Sequence, residues 1–91
     1  MINEQFLEWL RIEKNLGLKS ARDVLSRCRR VERVLQINLE TEINNSMDSR
    51  NIVSRITKEK SKFFSPDTNV TFAFSVIARA IRLYGEFKEL K

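Results

Sequence analysis

Arginine is concentrated in one segment of the sequence, from Ser20 to Leu35, with little acidic charge beside it. The segment holds five arginines and only two acids, Asp23 and Glu32. Its apolar residues recur at helical spacing and predict a buried stripe; they are Ala21, Val24, Leu25, Cys28, Val31 and Leu35. Most of the arginines fall off that stripe. Because a guanidinium suits phosphates and guanine edges, the segment predicts an amphipathic helix that offers its basic side to a polyanion.

Catalytic chemistry has little support in the composition. The chain has no histidine, which removes the commonest general base and the commonest metal ligand together. One cysteine without histidine cannot form a zinc site or a Cys–His nucleophile pair. Gly17 and Gly85 are the only glycines, too few for a phosphate-binding loop. We therefore expect no enzymatic activity, no catalytic residue, no metal, no cofactor and no small-molecule substrate.

Cysteine usage and hydropathy bear on the location of the protein. Cys28 is the only cysteine, so no intrachain disulfide forms, and a reducing compartment is expected. Its place on the apolar stripe predicts a buried small hydrophobe. No apolar run approaches the length of a membrane span, and the N-terminus lacks the features of a signal peptide. These observations predict a cytoplasmic protein with no membrane partner.

Length and charge predict one small helical domain with an anionic partner. The chain has 91 residues, of which 42% are hydrophobic and 32% charged, and it contains two glycines and one proline. So few turn residues favour helices over strands. The net charge of +5 favours nucleic acid, anionic lipid or an acidic protein surface as partner. We predict a single all-α domain over residues 1–91.

Four helices are predicted along the chain, and the first two are separated by a glycine. The first spans about 3–15, and Gly17 is expected to stop it in a left-handed conformation. The second is the arginine helix, with Ser20 as its N-cap and Asp23 closing a capping box. Residues 36–47 alternate apolar and polar types as a strand does, but no partner strand exists, so an irregular connector is expected.

The third helix is expected to begin at Asp48 or Ser49 and to end near Lys60. Phe63 and Phe64 precede a break at Pro66, and they are expected to close the end of the bundle. The last helix is predicted to be capped by Asp67 or Asn69 and to end near Glu89. It is apolar around most of its circumference, which predicts the buried centre of the bundle. Its polar positions are Ser75, Arg79, Arg82 and Glu86.

Together these segments resemble a known family. The motifs are F-L-x-W-L from Phe6 to Leu10, G-L-K-S at 17–20, V-L-S-R-C-R-R-V-E-R-V-L at 24–35 and S-V-I-A-R-A-I-R-L-Y-G-E-F at 75–87. In this pattern the chain resembles the SAM-like core-binding domain of tyrosine recombinases of the phage integrase kind. The resemblance spans nearly the whole chain. It implies a compact four-helix (SAM-like) orthogonal bundle that clamps double-stranded DNA, while a separate domain carries the catalytic residues.

The resemblance implies phosphate and groove contacts for residues of the second and last helices. With the arginine pattern itself, the candidate DNA-binding residues are Lys19, Arg22, Ser26, Arg29, Arg30, Arg33, Arg79 and Arg82. A further basic cluster occurs in and after the third helix, at Arg50, Arg55, Lys58, Lys60 and Lys62. The hypothesis of DNA binding requires that basic groups from these separate segments share one side of the folded domain.

Two other functions compete with DNA binding. The apolar last helix and the pair Phe63 and Phe64 also fit a protein-interaction module or small regulator that binds a protein partner or a second copy of itself. A basic amphipathic helix could instead lie on a membrane surface. The apolar side of the arginine helix has no tryptophan or phenylalanine, so the membrane hypothesis ranks last.

Overall fold

The computed structural model describes residues 4–63 and 70–90, with side chains from residue 73 onward in the second stretch. Its helices are α1 (Glu4–Ile12), α2 (Leu18–Leu35), α3 (Leu39–Glu42), α4 (Ser46–Lys58), α5 (Lys60–Phe63) and α6 (Val70–Glu89). No strand occurs in these two stretches. The predicted all-α class is confirmed. Four helices have nine residues or more, and α3 and α5 are single turns.

Helix α6 is the centre of the bundle, as its apolar circumference predicted. It packs against α4, α2 and α1. Towards α1, the ring of Phe6 meets Tyr84 edge-on with centroids 5.0 Å apart and lies 5.2 Å from Phe87. All three rings are buried. Burial of aromatic rings in this geometry holds α1 against the last turns of α6.

Helix α2 packs on α6 through its apolar stripe, and all six predicted stripe residues are buried. At the crossing, the Cys28 thiol donates to the backbone carbonyl oxygen of Ala80, with 3.6 Å between sulfur and oxygen. Burial raises the pKa of this thiol above its ordinary value, and Glu32 raises it further. Cys28 is therefore a packing residue, as predicted.

The turn between α1 and α2 differs from its prediction. Helix α1 ends at Ile12, and the left-handed residue is Asn15 with φ 54°, since Asn tolerates this conformation better than most residues. Gly17 is extended (φ −66°, ψ 162°) and is itself the N-cap of α2, without a side-chain cap. The predictions of Ser20 as cap, of a capping box at Asp23 and of a left-handed Gly17 were wrong.

The connector after α2 contains a helical turn that the sequence did not predict. Gln36 ends α2 in the left-handed region, with φ 56°. Asn38 then caps α3 by accepting a hydrogen bond from the Glu40 amide at 3.0 Å. The turn buries Leu39 completely. It is tied back to α2, because the Glu32 carboxylate accepts a hydrogen bond from the Leu39 amide at 2.9 Å.

Helix α4 begins at Ser46, earlier than predicted, and ends at Lys58. Its cap is Asn45, whose side chain accepts from the Asp48 amide at 2.9 Å, so neither Asp48 nor Ser49 is the cap. Ser49 is buried instead, and its hydroxyl donates to the Ser46 carbonyl oxygen at 2.7 Å. Because α4 begins at Ser46, Ser49 lies within its first turn, where it packs against Gly85 of α6.

The crossing of α4 and α6 is close because position 85 is glycine. A Cβ atom at Gly85 would lie 2.6 Å from Cβ of Ser49 and 3.2 Å from the carbonyl oxygen of Asn45. Real Cβ atoms do not approach so closely. A side chain at this position would therefore push the two helices apart.

The segment before α6 is described only in part. Phe63 is buried, in agreement with its predicted role of closing the bundle. Phe64, Pro66 and the predicted caps Asp67 and Asn69 lie outside the described residues. Helix α6 ends at Glu89, where it was predicted to end.

Candidate nucleic-acid interface

Five of the predicted DNA-binding residues lie on one outward surface of α2, which we call the α2 basic face. All five are exposed, and they fall within about 80° of the helix circumference. They are Lys19, Arg22, Ser26, Arg29 and Arg33. The face is centred about 140° from Cys28, which points at α6. The contact of α2 with α6 therefore lies on its other side.

The cations of the α2 basic face have no acidic partner among the side chains that the structure describes. The ion pairs between described side chains are Lys14–Glu86 and Lys62–Glu59, and neither belongs to α2. Of the two acids in α2, Glu32 is engaged with the Leu39 amide, and Asp23 is half-buried at the edge of the face. From Lys19 to Arg33 the face extends about 21 Å along the helix. It presents four uncompensated positive charges to solvent over that length.

Arg30, also a predicted DNA contact, has a structural partner. Its side chain is half-buried, and its guanidinium donates from Nη2 to the carbonyl oxygen of Phe63. This hydrogen bond ties α2 to α5. Arg30 lies at the edge of the α2 basic face and is held by the neighbouring segment.

A groove runs beside the α2 basic face, between α1 and α2. It encloses about 250 Å³ and is lined by Leu7, Arg22, Leu25, Ser26 and Arg29. The two leucines were predicted only as core residues. On the circumference of α1, Leu7 lies to one side of the buried residues Phe6 and Leu10. This position in the helical pattern could have revealed its role in the groove.

The structure does not bring Arg82 of α6 to the α2 basic face. Arg79 and Arg82 are both exposed, but Arg82 lies about 200° around α6 from Ala80, the point of contact with α2. Arg82 instead lines a second groove of about 210 Å³ between α4 and α6, together with Ser46, Ser49, Arg50 and Glu86. Basic residues thus occupy two separate grooves.

The basic cluster of the third predicted helix is partly engaged in local contacts. Lys60 lies over the ring of Phe74, with its nitrogen 5.3 Å from the centroid. Lys62 pairs with Glu59 at 2.7 Å and, by hydrogen bonding, lowers the pKa of that carboxyl. Arg50 lines the second groove.

The remaining reactive groups are buried. The Tyr84 hydroxyl, like the Cys28 thiol, has a pKa raised chiefly by burial, so both groups stay protonated at neutral pH. In the part of the chain with described side chains, no three acidic or sulfur ligands come together as a metal site. Among the helices given above, none has the length and apolar character needed to cross a membrane.

Comparisons with known proteins give no relative for this chain. No protein-family profile, no curated protein and no solved structure matches it. The resemblance to the core-binding domain of tyrosine recombinases therefore stays a prediction. The functional interpretation depends on the geometry of the α2 basic face.

Proposed function

We propose that this chain is a non-catalytic module that binds double-stranded DNA through the α2 basic face. The prediction that basic groups from several segments share one side of the domain is not met by Arg50 and Arg82, which line the second groove, so the proposal is limited to a single helix. One observation carries it: four exposed cations share one face of α2, and none has an acidic partner among the described side chains. A role as the core-binding domain of a phage-type integrase is the more specific form of this proposal. It depends on the family resemblance alone.

Phosphate neutralisation would supply most of the affinity. Each cation that contacts a phosphate releases a counterion from DNA, so affinity falls as salt rises. With four contacts, binding is expected to weaken about 100-fold between about 50 and 200 mM salt. Arginine also carries a planar pair of donors that can reach a guanine edge in the major groove.

Two double variants test whether location or net charge controls binding. Arg22→Gln with Arg29→Gln removes two charges from the α2 basic face, and Arg79→Gln with Arg82→Gln removes two exposed charges from α6. Each lowers the net charge from +5 to +3, because two arginines are lost. Fluorescence anisotropy with a labelled duplex is expected to show a loss of about tenfold for the first and about twofold or less for the second.

The results can reject the proposal in two ways. Equal losses in the two double variants would show that net charge, and not the α2 basic face, attracts DNA. Absence of binding to any duplex at low salt would reject DNA binding itself. Thermal melting of each variant provides the control for folding, since exposed arginines contribute little to stability.

A protein-interaction module is the second candidate. Helix α6 supports it less than its sequence suggested, because α1, α2 and α4 cover its apolar surface. What favours it is exposed apolar surface near the C-terminal end of α6, where Met47 and Leu90 are 67% and 72% exposed. The Ser46 hydroxyl donates to Glu89 at 2.8 Å, which joins the start of α4 to this end. Sedimentation analysis discriminates, since a tight dimer that does not bind DNA would support this candidate.

A further inference from the structure

We infer that the groove between α1 and α2 holds the sugar–phosphate backbone of one DNA strand, with deoxyribose against Leu7 and Leu25, and that it makes the module prefer DNA to RNA. The inference rests on the proposed function, because it assigns a specificity determinant to the same surface. It adds two apolar residues to a site whose other members are all polar.

The polar groups of the groove are placed to bind phosphates on either side of a sugar. Arg22 and Arg29 are separated by about 10.5 Å along α2, nearly two helical turns. Ser26 lies between them, so its hydroxyl faces the same rim. Both guanidiniums are exposed and have no ion pair with a described side chain. The rim therefore offers donors on both sides of the apolar lining.

The apolar lining offers no hydrogen bond. Leu25 is 6% exposed and belongs to the core, and Leu7 is half-buried beside it. A ribose 2′-hydroxyl placed between Leu7 and Leu25, away from the polar rim, would lose water and gain no hydrogen bond from these leucines, which is costly. The methylene of deoxyribose would bury apolar surface at the same place. Since the 2′-hydroxyl is the group by which proteins distinguish RNA from DNA, the leucines select against it.

The size of the groove and the extent of its charge favour a nucleic-acid strand over other occupants. At about 250 Å³, it is smaller than the roughly 300–1,000 Å³ of a typical ligand pocket. It therefore suits a single sugar–phosphate unit better than a docked helix. Lys19 and Arg33 continue the positive charge beyond the groove, as a repeating polyanion requires. An acidic peptide is the competing occupant.

The test compares a DNA duplex with the same duplex carrying ribonucleotides in one strand. The unmodified protein is expected to bind the DNA duplex about tenfold more tightly. Leu7→Gln supplies an amide that can pair with the 2′-hydroxyl, so the preference should fall to about twofold. Leu18→Gln is the matched control, because Leu18 is an exposed leucine at the start of α2 and is absent from the groove lining. It should leave the preference unchanged.

The ratio of the two affinities separates specificity from folding, because partial unfolding weakens both complexes equally. If Leu7→Gln leaves the ratio unchanged while Arg22→Gln with Arg29→Gln still weakens binding, this inference is overturned and the proposed function survives. Absence of binding to any duplex by the unmodified protein would reject both this inference and the proposed function. If Leu7→Gln instead alters binding of a leucine-containing polyglutamate peptide and leaves the ratio unchanged, the groove serves a protein partner and the inference is also overturned.

Discussion

The two grooves of this molecule contain similar basic residues in different surroundings. Arg22 and Arg29 of the first groove lie beside leucines and have no acid between them. Arg50 and Arg82 of the second share their groove with Glu86. The Glu86 carboxylate accepts a hydrogen bond from Lys14 at 2.5 Å, which ties the turn after α1 to α6. The two grooves thus contain the same number of arginines and differ in the groups beside them.

The helices that form the two grooves also differ in how closely they approach. The second groove lies beside the contact of Gly85 with Ser49, where no further atom fits. In the first groove, Leu7 of α1 and Leu25 of α2 line the space between the helices. The polar residues beside them are exposed. Polar residues near the α4–α6 crossing therefore hold the fold, whereas those on α2 are available for binding. Three variants test this division, and a fourth tests an ion pair outside both grooves.

The largest effect is expected on the free energy of unfolding, from a substitution at the crossing of α4 and α6. Gly85→Ala should lower the free energy of unfolding by about 1–3 kcal/mol, because the new methyl group overlaps Ser49 and the Asn45 carbonyl. Gly17→Ala is the control, since no atom lies within 4 Å of a Cβ there and φ is −66°. It should change stability by about 0.5 kcal/mol or less. Urea unfolding measures both, and equal stability of the two variants would contradict the close packing.

The second-largest effect is expected on DNA affinity. It follows from placing an acidic residue in the first groove, because the second groove already contains Glu86. Ser26→Glu places a carboxylate between Arg22 and Arg29, which should lower affinity for duplex DNA about tenfold by pairing and repulsion. Ser26→Gln controls for side-chain size. Anisotropy titration measures the change. Unaltered binding by the glutamate variant would mean that DNA does not contact this groove.

A smaller effect is expected when the acid is removed from the second groove. Glu86→Gln frees Lys14 and removes the carboxylate from the lining of the second groove. DNA affinity should rise by about twofold, while Glu4→Gln, which removes an exposed acid from the first turn of α1, serves as the control. A gain as large as the loss in Ser26→Glu would show that both grooves contact DNA.

The smallest effect concerns the pH dependence of stability, through Glu59 at the end of α4. The hydrogen bond from Lys62 lowers the pKa of Glu59 from 4.5, so the folded state favours the carboxylate. Its contribution to stability is present above pH 4.5 and is lost as the pH falls through the lowered value. Lys62→Ala should return the Glu59 pKa towards its ordinary value in an NMR titration, whereas Lys58→Ala should not. Identical titrations in both variants would contradict the Lys62 interaction.

The residues at which the helices begin could not be predicted from the local sequence alone. Asn45, Asp48 and Ser49 are all good N-caps with similar propensities, so the sequence alone could not choose among them. The start at Ser46 is the one that buries Ser49 against Gly85. Gly17 likewise caps α2 without a side-chain hydrogen bond. Packing between helices outweighed the small differences between caps.

The sequence by itself determined the helical class, the buried stripe of α2, the central place of α6 and the exposure of Arg22, Arg29 and Arg33, because helical periodicity is a local property. The tertiary structure alone decided that Arg30 bonds to Phe63, that Arg82 joins Arg50 and not the α2 basic face, and that Leu7 lines a groove. These facts depend on how the helices are placed around one another. That placement follows from contacts between residues distant in sequence, such as Cys28 with Ala80, which no local pattern encodes.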